Sequence, residues 1–317
     1  MSVSSRKLKG SEVLPVLQIN NRQVNLSNLD KVFWPETGLT KHDLLQFYID
    51  ISPYLLPYLR DRPCSFQRLP DGIDGKQFYQ KNVPSFAPSW IQTFPVSRGK
   101  KIINYILVNN LETLVYLVNL ACMVFHPWHS RIHSLNFPDW GVIDLDPQPG
   151  VPFSAVLETA AFVKEILDEQ GLNGYPKTSG ATGLQIFLPL KPRYTYEQVK
   201  GMFEYLCLQV HRRAPRLTTM ERTVKKRGLA VYLDYLQNLQ GQTINAPYTV
   251  RPVQQAQVST PVTWEEVLSQ SFTPQSFTML NIRQRLNEKG DIFLPVIKEG
   301  QLMPRLLHKA AKKKGQD

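Results

Sequence analysis

Apolar and polar residues alternate from Val13 to Val24 about the pair Asn20-Asn21, the mark of a β-hairpin. Thr40 stands as an N-cap before Lys41, and Leu44, Leu45, Tyr48 and Ile49 follow at helical spacing; Pro53 and Pro57 predict a break or kink. Pro63 to Pro70 reads as a strand, and a Gly-containing turn separates it from Phe78-Tyr79-Gln80-Lys81, which reads as a loop. A strand about Ile103 to Val108 leads into a helix from Leu111 to Phe125, apolar nearly all round and therefore expected to be buried. Ser154 to Gln170 is an amphipathic helix with Gly171 as its stop. Thr195-Tyr196-Glu197-Gln198 is a capping box opening a helix to about Arg213, and Thr263-Trp264-Glu265-Glu266 is another.

The stretch with the strongest chemical character is Gly141-Val142-Ile143-Asp144-Leu145-Asp146-Pro147. Apolar residues run into two aspartates at i and i+2, and a proline ends the strand, so both carboxylates share one face. Like charges side by side repel and raise each other's pKa unless a divalent cation lies between them. Hard carboxylate oxygens suit Mg²⁺ or Mn²⁺. A strand end whose aspartates face water or cap the following helix has the same pattern, so the pair alone does not decide. Leu229 to Tyr235 is a second apolar strand carrying one acidic residue, Asp234. A carboxylate in such a strand is costly unless paired or metal-bound, which makes Asp234 the natural partner of Asp144 and Asp146.

These elements predict an α/β fold: mixed or antiparallel sheets flanked by helices. Residues 11–300 are expected to form one catalytic domain, with 11–60 as a candidate N-terminal subregion and basic tails at 1–10 and 301–317. A chain of 317 residues with 42% hydrophobic positions buries a substantial core. With no apolar run long enough to span a bilayer and no leader pattern at the start, a cytoplasmic protein is expected. Cys64, Cys122 and Cys207 lie far apart without a C-x-x-C, so they read as core residues rather than disulfide or zinc partners.

The net charge of +11 and pI near 9.5 favour a polyanionic partner. Arg6, Lys7 and Lys9, and Arg305, Lys309 and Lys312 to Lys314, carry part of that excess in the tails, so the core is only mildly basic. Within the core, Lys31 and Lys41 flank a short loop before a helix, where unpaired N–H groups offer a phosphate site; two exposed surface lysines fit the same pattern. Phe78 and Tyr79 beside Lys81 suit stacking on unpaired bases or packing in a core. The loop Lys177 to Gly183, rich in Gly, Ser and Thr, opens a strand from Leu184 to Leu190 and can present N–H groups to phosphate, yet it is not a Walker A loop. His126, His129 and His133 are spaced too irregularly for a zinc helix and point instead to one histidine contacting phosphate.

Together the D-L-D-P strand, the Ser179-Gly180 loop, the run Tyr232 to Asn238 and the segment from Ala246-Pro247-Tyr248 to Arg251-Pro252 resemble, in order, the polymerase domain of bacterial DNA ligase D. That domain belongs to the archaeo-eukaryotic primase superfamily. Matching features run from Lys31 to about Pro252. The resemblance implies a template-directed DNA/RNA polymerase of non-homologous end joining that fills gaps and extends broken ends, uses NTP or dNTP, often favours ribonucleotides, and works with Mn²⁺ or Mg²⁺. It makes Asp144, Asp146 and Asp234 the metal-binding triad. His126, Ser179, Thr182, Gln185, Gln237, Arg251 and Arg68 fall around the incoming nucleotide, chiefly its triphosphate. Lys31 and Lys41 match lysines that hold the downstream 5′-phosphate of a gap, and Phe78, Tyr79 and Lys81 meet the template. Two metal ions, about 3.5–4 Å apart, would activate a 3′-hydroxyl and stabilise the pyrophosphate leaving group.

At two positions the chain departs from the family pattern. Thr182 and Gln185 stand where many members have lysine and histidine; a neutral amide still donates hydrogen bonds but supplies no positive charge. A K-x-D-G nucleotidyl-acceptor motif is absent, so ligation is expected from a separate DNA ligase, alongside an end-binding protein at double-stranded ends. A non-catalytic end-alignment module and a primer-independent primase are the alternatives; the three aspartates argue against the first, because a DNA-binding surface gains nothing from clustered negative charge.

Overall fold

The computed structural model describes residues 3–5 and 15–304. At the N-terminal end β1 (Val3–Ser5), β2 (Pro15–Ile19) and β3 (Arg22–Asn25) pair antiparallel, with Asn20 at φ +49 turning the β2–β3 hairpin. The two-stranded ribbon β4 (Val32–Trp34) and β5 (Leu39–Thr40) then delivers the chain to α1 (Lys41–Leu59). Thr40 caps that helix, with Asp43 reaching back in a capping box as the sequence signals. Pro53 and Pro57 lie inside α1 without ending it. Pro53 lacks the N–H that would bond the Ile49 carbonyl, and the Ser52 hydroxyl donates to that carbonyl instead, at 2.8 Å.

Next come β6 (Cys64–Arg68), β7 (Phe78–Gln80), the hairpin β8 (Thr93–Arg98) and β9 (Lys101–Ile106), α2 (Leu111–Asn119) and β10 (Cys122–Pro127). Here the structure corrects two expectations. The helix expected over 111–125 stops at Asn119: Ala121 turns the chain at φ +60, and the remaining apolar run becomes β10, fully buried against β6. An all-apolar run fits a buried strand as well as a buried helix, and only pairing with β6 separates the two. Phe78 to Gln80, read as a loop, forms the edge strand of the antiparallel sheet β10-β6-β7.

The central sheet is built from β11 (Trp140–Pro147), β12 (Tyr175–Thr178), β13 (Leu184–Pro189), β14 (Thr218–Thr219) and β15 (Val231–Asp234), in the order β12-β13-β11-β15-β14. Its pairs are antiparallel except β14 with β15, which makes a mixed sheet. Between these strands run α3 (Phe153–Glu169), ended near Gly171 at φ +63, and α4 (Tyr196–Arg213), opened by the Thr195 capping box. Ile143, Leu145, Leu184, Ile186, Val231 and Leu233 face α3 and α4 and form one core. The other face carries Trp140, Val142 and Phe187 into a second core with α1, α2, β6 and β10. Helices thus cover one side of the central sheet and the β10-β6-β7 layer the other, leaving the end of β11 between two sheets.

The chain closes with α5 (Trp264–Leu268), α6 (Ile282–Lys289) and α7 (Pro295–Lys298). Two parts of the expected tails are structured. Val3–Ser5 pairs with β2, Gln301 bridges to Leu190, and Met303 is buried, so packing against the domain passes beyond residue 300. Residues 1–2, 6–10 and 305–317 of those tails lie outside the described residues. The three cysteines are buried and free, and among the described residues no helix is long and apolar enough to cross a membrane.

Candidate active site

The register of the central sheet sets four polar residues in one row. Lys177 on β12 opposes Gln185 on β13, Gln185 opposes Asp144 on β11, and Asp144 opposes Asp234 on β15. Directly opposed residues point to the same face, so this row projects away from α3 and α4, and Asp146, two positions on, joins it. Burial first, then Asp234 and Asp146, push the Asp144 carboxyl up to about 7. Gln185 and Lys177 work in the opposite sense.

Each carboxylate has its own neighbours. Asp234 accepts from Leu236 N at 3.0 Å and from Gln237 Nε2 at 3.1 Å, which accounts for Gln237. Arg227 lies over the Tyr232 ring at 3.6 Å with its guanidinium 3.7 Å from Asp146 Oδ2. Among the described residues no group of three or more His, Cys, Asp or Glu side chains stands close enough together to hold a metal ion as they are oriented. The donor chemistry nevertheless fits a hard divalent cation: Asp144, Asp146 and Asp234 share one face, and Cβ atoms of a directly opposed pair such as Asp144 and Asp234 stand about 5 Å apart.

His126 on β10 and Arg251, in the segment after β15, face this row from the other layer. His126 is buried, and its pKa is pushed down to about 3 by burial and then by Arg251 and Lys177. Burial also lowers the pKa of Arg251, against the pull of Tyr79 and Asp144. His126 Nε2 and Arg251 Nε are both buried without a hydrogen-bond partner in the protein. Unpaired buried polar atoms are costly, and converging on one place they mark where a polar ligand would sit. Tyr48 ties this side together, donating to the Met123 carbonyl at 2.5 Å and accepting from Val250 N at 3.1 Å.

The Ser179 loop closes a third side. Ser179 Oγ accepts from Ala181 N at 3.2 Å and Gly183 N at 3.0 Å, so its own hydrogen is available to a ligand. Gly180, at φ +74, has no room for a side chain: a Cβ would lie 2.5 Å from Arg251 Cγ and 2.9 Å from Ser259 N. Thr182 is exposed at the loop tip, whereas Gln185 is buried. Beyond them a cavity of about 490 Å³ runs between Pro147 to Phe153, Ala181-Thr182 and Thr273 to Gln275.

The aromatic pair divides. Phe78 lies under Arg68, whose guanidinium is 5.1 Å from the ring centroid and donates to Leu120 O and Gln80 Oε1. Tyr79 is 60% exposed with its ring centroid 5.7 Å from that of His126, placing it at the rim of the pocket that His126 and Arg251 face. Lys81 is exposed in the loop after β7. Lys31 is half-exposed and ion-paired to Asp71, while Lys41 is buried, its Nζ donating to Ser27 O and to Asn119 Oδ1 at 2.9 Å. Burial, then Lys31, lowers the Lys41 pKa to about 8. Of the other histidines, His129 is buried beside Trp140 and His133 is exposed near Asp61.

Lys177, Ser259 and Arg227 are the residues of this site that sequence reasoning did not single out. Lys177 reads from the sequence as the first residue of the loop to Gly183; the structure puts it on β12 instead, and its place beside Asp144 depends on two strand pairings.

A family model described as the LigD primase-polymerase domain matches residues 40–293, a span that contains the carboxylate row, His126, the Ser179 loop and Arg251. The chain belongs to this family. It is 34% identical over 294 residues to the bifunctional non-homologous end joining protein LigD of Bacillus subtilis, covering 92% of this chain and 47% of that protein. It is 32% identical over 267 residues to the multifunctional non-homologous end joining protein LigD of Pseudomonas aeruginosa, covering 84% of this chain and 31% of that protein. The chain therefore spans about half the length, or less, of these relatives. Among solved structures, the polymerase domain from Mycobacterium tuberculosis ligase D in complex with DNA matches with a TM-score of 0.82 and 27% identity, over 88% of this chain and 99% of that one. The α/β architecture with mixed and antiparallel sheets is that of the LigD polymerase domain.

Proposed function

We propose that this chain is a template-directed nucleotidyltransferase that fills gaps and extends ends during non-homologous end joining. The observation that carries the reading is the facing of two unlike sets: carboxylates Asp144, Asp146 and Asp234 on one layer, and unpartnered buried His126 Nε2 and Arg251 Nε on the other. A triphosphate with divalent cations is the ligand class that satisfies both at once.

The three aspartates would hold two Mn²⁺ or Mg²⁺ ions, which supply Lewis-acid activation of the primer 3′-hydroxyl and charge neutralisation at the leaving pyrophosphate. Arg251 and the neutral His126 imidazole donate to phosphate oxygens, and the Ser179 hydroxyl and loop N–H groups orient the tail. Tyr79, at the rim beside His126, is the surface for a base to stack on. Arg68 backs the Phe78 ring with its Nε held by Leu120 and one Nη1 hydrogen by Gln80, and the rest of its guanidinium hydrogens remain for the nucleotide. Lys31 and Lys41, adjacent at the start of α1, would receive the downstream 5′-phosphate of gapped DNA, Lys31 by exchanging Asp71 for the phosphate. A DNA ligase activity and an end-binding protein would complete repair.

The test is single-nucleotide incorporation on a gapped duplex bearing a downstream 5′-phosphate, with Mn²⁺ and either rNTP or dNTP. Template-directed addition by wild type and its loss in Asp144→Ala is the expected result. Addition by folded Asp144→Ala at the wild-type rate would sink the mechanism, and binding without addition by wild type would leave an end-alignment module. Synthesis on single-stranded template with NTPs and no primer would mark a primase instead.

A further inference from the structure

Lys177 is fully buried, and its Nζ donates to two neutral oxygens, Gln185 Oε1 and, at 2.6 Å, Ser259 Oγ. The direction of the second bond follows from a third: Ser259 Oγ spends its own hydrogen on the Thr178 carbonyl at 2.7 Å, so toward Lys177 it can only accept. The Lys177 Nζ lies over the Phe187 ring, 5.4 Å from the centroid. A lysine buried this deeply against neutral partners costs stability, so a structural role alone accounts poorly for it.

Gln185 stands between Lys177 and Asp144 in the register of the sheet. With its carbonyl held by Lys177, its NH₂ is left for the opposite side, where its hydrogen bond favours the ionised form of Asp144. The flipped amide would set NH₂ against the hydrogens of Lys177 and its carbonyl against a carboxylate, two repulsions in place of two attractions.

We propose that Lys177 is a positioning residue for nucleotidyl transfer: by holding the Gln185 carbonyl it turns the Gln185 NH₂ toward Asp144 and the triphosphate, so that a neutral amide becomes a donor of fixed direction. Lys177 acts through Gln185 and does not itself contact phosphate. The inference rests on the nucleotide-binding reading of this site.

The test is a double-mutant cycle on ATP binding, measured by calorimetry with Mg²⁺ and without DNA, for wild type, Lys177→Met, Gln185→Met and the double variant, with melting temperatures recorded alongside. Each single change is expected to weaken binding about tenfold, the effect of losing one charge-assisted or oriented donor. The double variant should bind no more weakly than Gln185→Met, because Lys177 has nothing to orient once the amide is gone. Losses that multiply, to about a hundredfold, would mean that Lys177 acts on the phosphates directly, and would overturn the inference while leaving the nucleotide reading intact. No ATP binding by wild type would overturn both. Should Lys177→Met not fold, Gln185→Glu decides: it keeps Lys177 paired but replaces NH₂ by oxygen, so binding weaker than that of Gln185→Met is expected, and wild-type affinity would rule out an oriented donor.

Discussion

Asp144 and Asp234 stand directly opposite each other on adjacent antiparallel strands, and this pairing, with burial, holds the Asp144 carboxyl near 7. A site that stores such repulsion is poised to bind a cation, because the ion makes both ionised forms favourable.

Mn²⁺ affinity should therefore rise with pH up to about 7 and level off above it, since binding must displace the proton from Asp144. Calorimetry in two buffers of different ionisation enthalpy checks this: proton release at pH 6 and almost none at pH 8. Equal release at both values would show that Asp144 is already ionised at pH 6.

The same carboxyl shapes the acid stability of the metal-free protein. Between about 4 and 7 the folded chain keeps a proton on Asp144 that the unfolded chain has lost, so this contribution is present at low pH and disappears as pH rises toward 7. His126 and His129, both lowered to about 3, contribute in the other direction: their stabilisation is present above about 6.5 and is lost as pH falls. Asp144→Asn removes the opposing contribution, so its stability should fall more steeply than wild type between pH 6.5 and 4.5, by up to about 1.4 kcal/mol per pH unit. Urea denaturation in chelator across that range is the measurement; parallel slopes would contradict it.

The lysine pair gives a pH dependence of its own. Lys41 discharges near 8, so any preference for a gap with a 5′-phosphate should weaken between pH 7 and 9. Fluorescence anisotropy on phosphorylated and unphosphorylated gaps reads it directly. Lys31→Ala, which removes a half-exposed group, should lower the preference without lowering the melting temperature, whereas Lys41→Ala should lower both. Equal affinities for the two gaps in wild type would remove the basis of this prediction.

Gly180→Ala puts a methyl group 2.5 Å from Arg251 Cγ and onto a backbone at φ +74. The expected result is a loss of about 1–3 kcal/mol in stability and a higher KM for nucleotide, since Arg251 must move. Unchanged KM in a destabilised variant would place Arg251 outside the nucleotide site.

Asn238 locks the site from behind: its buried amide accepts from Val142 N and donates to Val142 O, both at 2.8 Å, and donates to Tyr235 O at 3.0 Å. Asn238→Ala should cost about 2–3 kcal/mol by chemical denaturation, because two bonds between β11 and the turn after Asp234, and a third within that turn, are lost at once. A cost below about 0.5 kcal/mol would show that the two strands hold Asp144 and Asp234 in register without it.

Much of this arrangement could be read from local spacing. The i, i+2 aspartates before Pro147 share a face because strand side chains alternate, wherever the strand lies in the fold. The capping boxes at Thr195 and Thr263 mark helix starts through bonds made within four residues. The order of the motifs identified the family, and the resemblance pointed to His126, Ser179 and Arg251, which lie far apart along the chain.

What local spacing cannot carry is register and depth. Residues 122–127 satisfy a buried helix and a buried strand equally, and pairing with β6 decides for the strand. Lys41 reads as a surface lysine until Ser27 and Asn119, 14 and 78 positions away, close over its ammonium. Lys177 reads as the first residue of a loop until strand pairing puts it on β12 and carries it to Gln185 and Asp144. Side-chain periodicity reports which face a residue occupies, but its neighbour on that face comes from a distant strand, and only the folded sheet brings the two together.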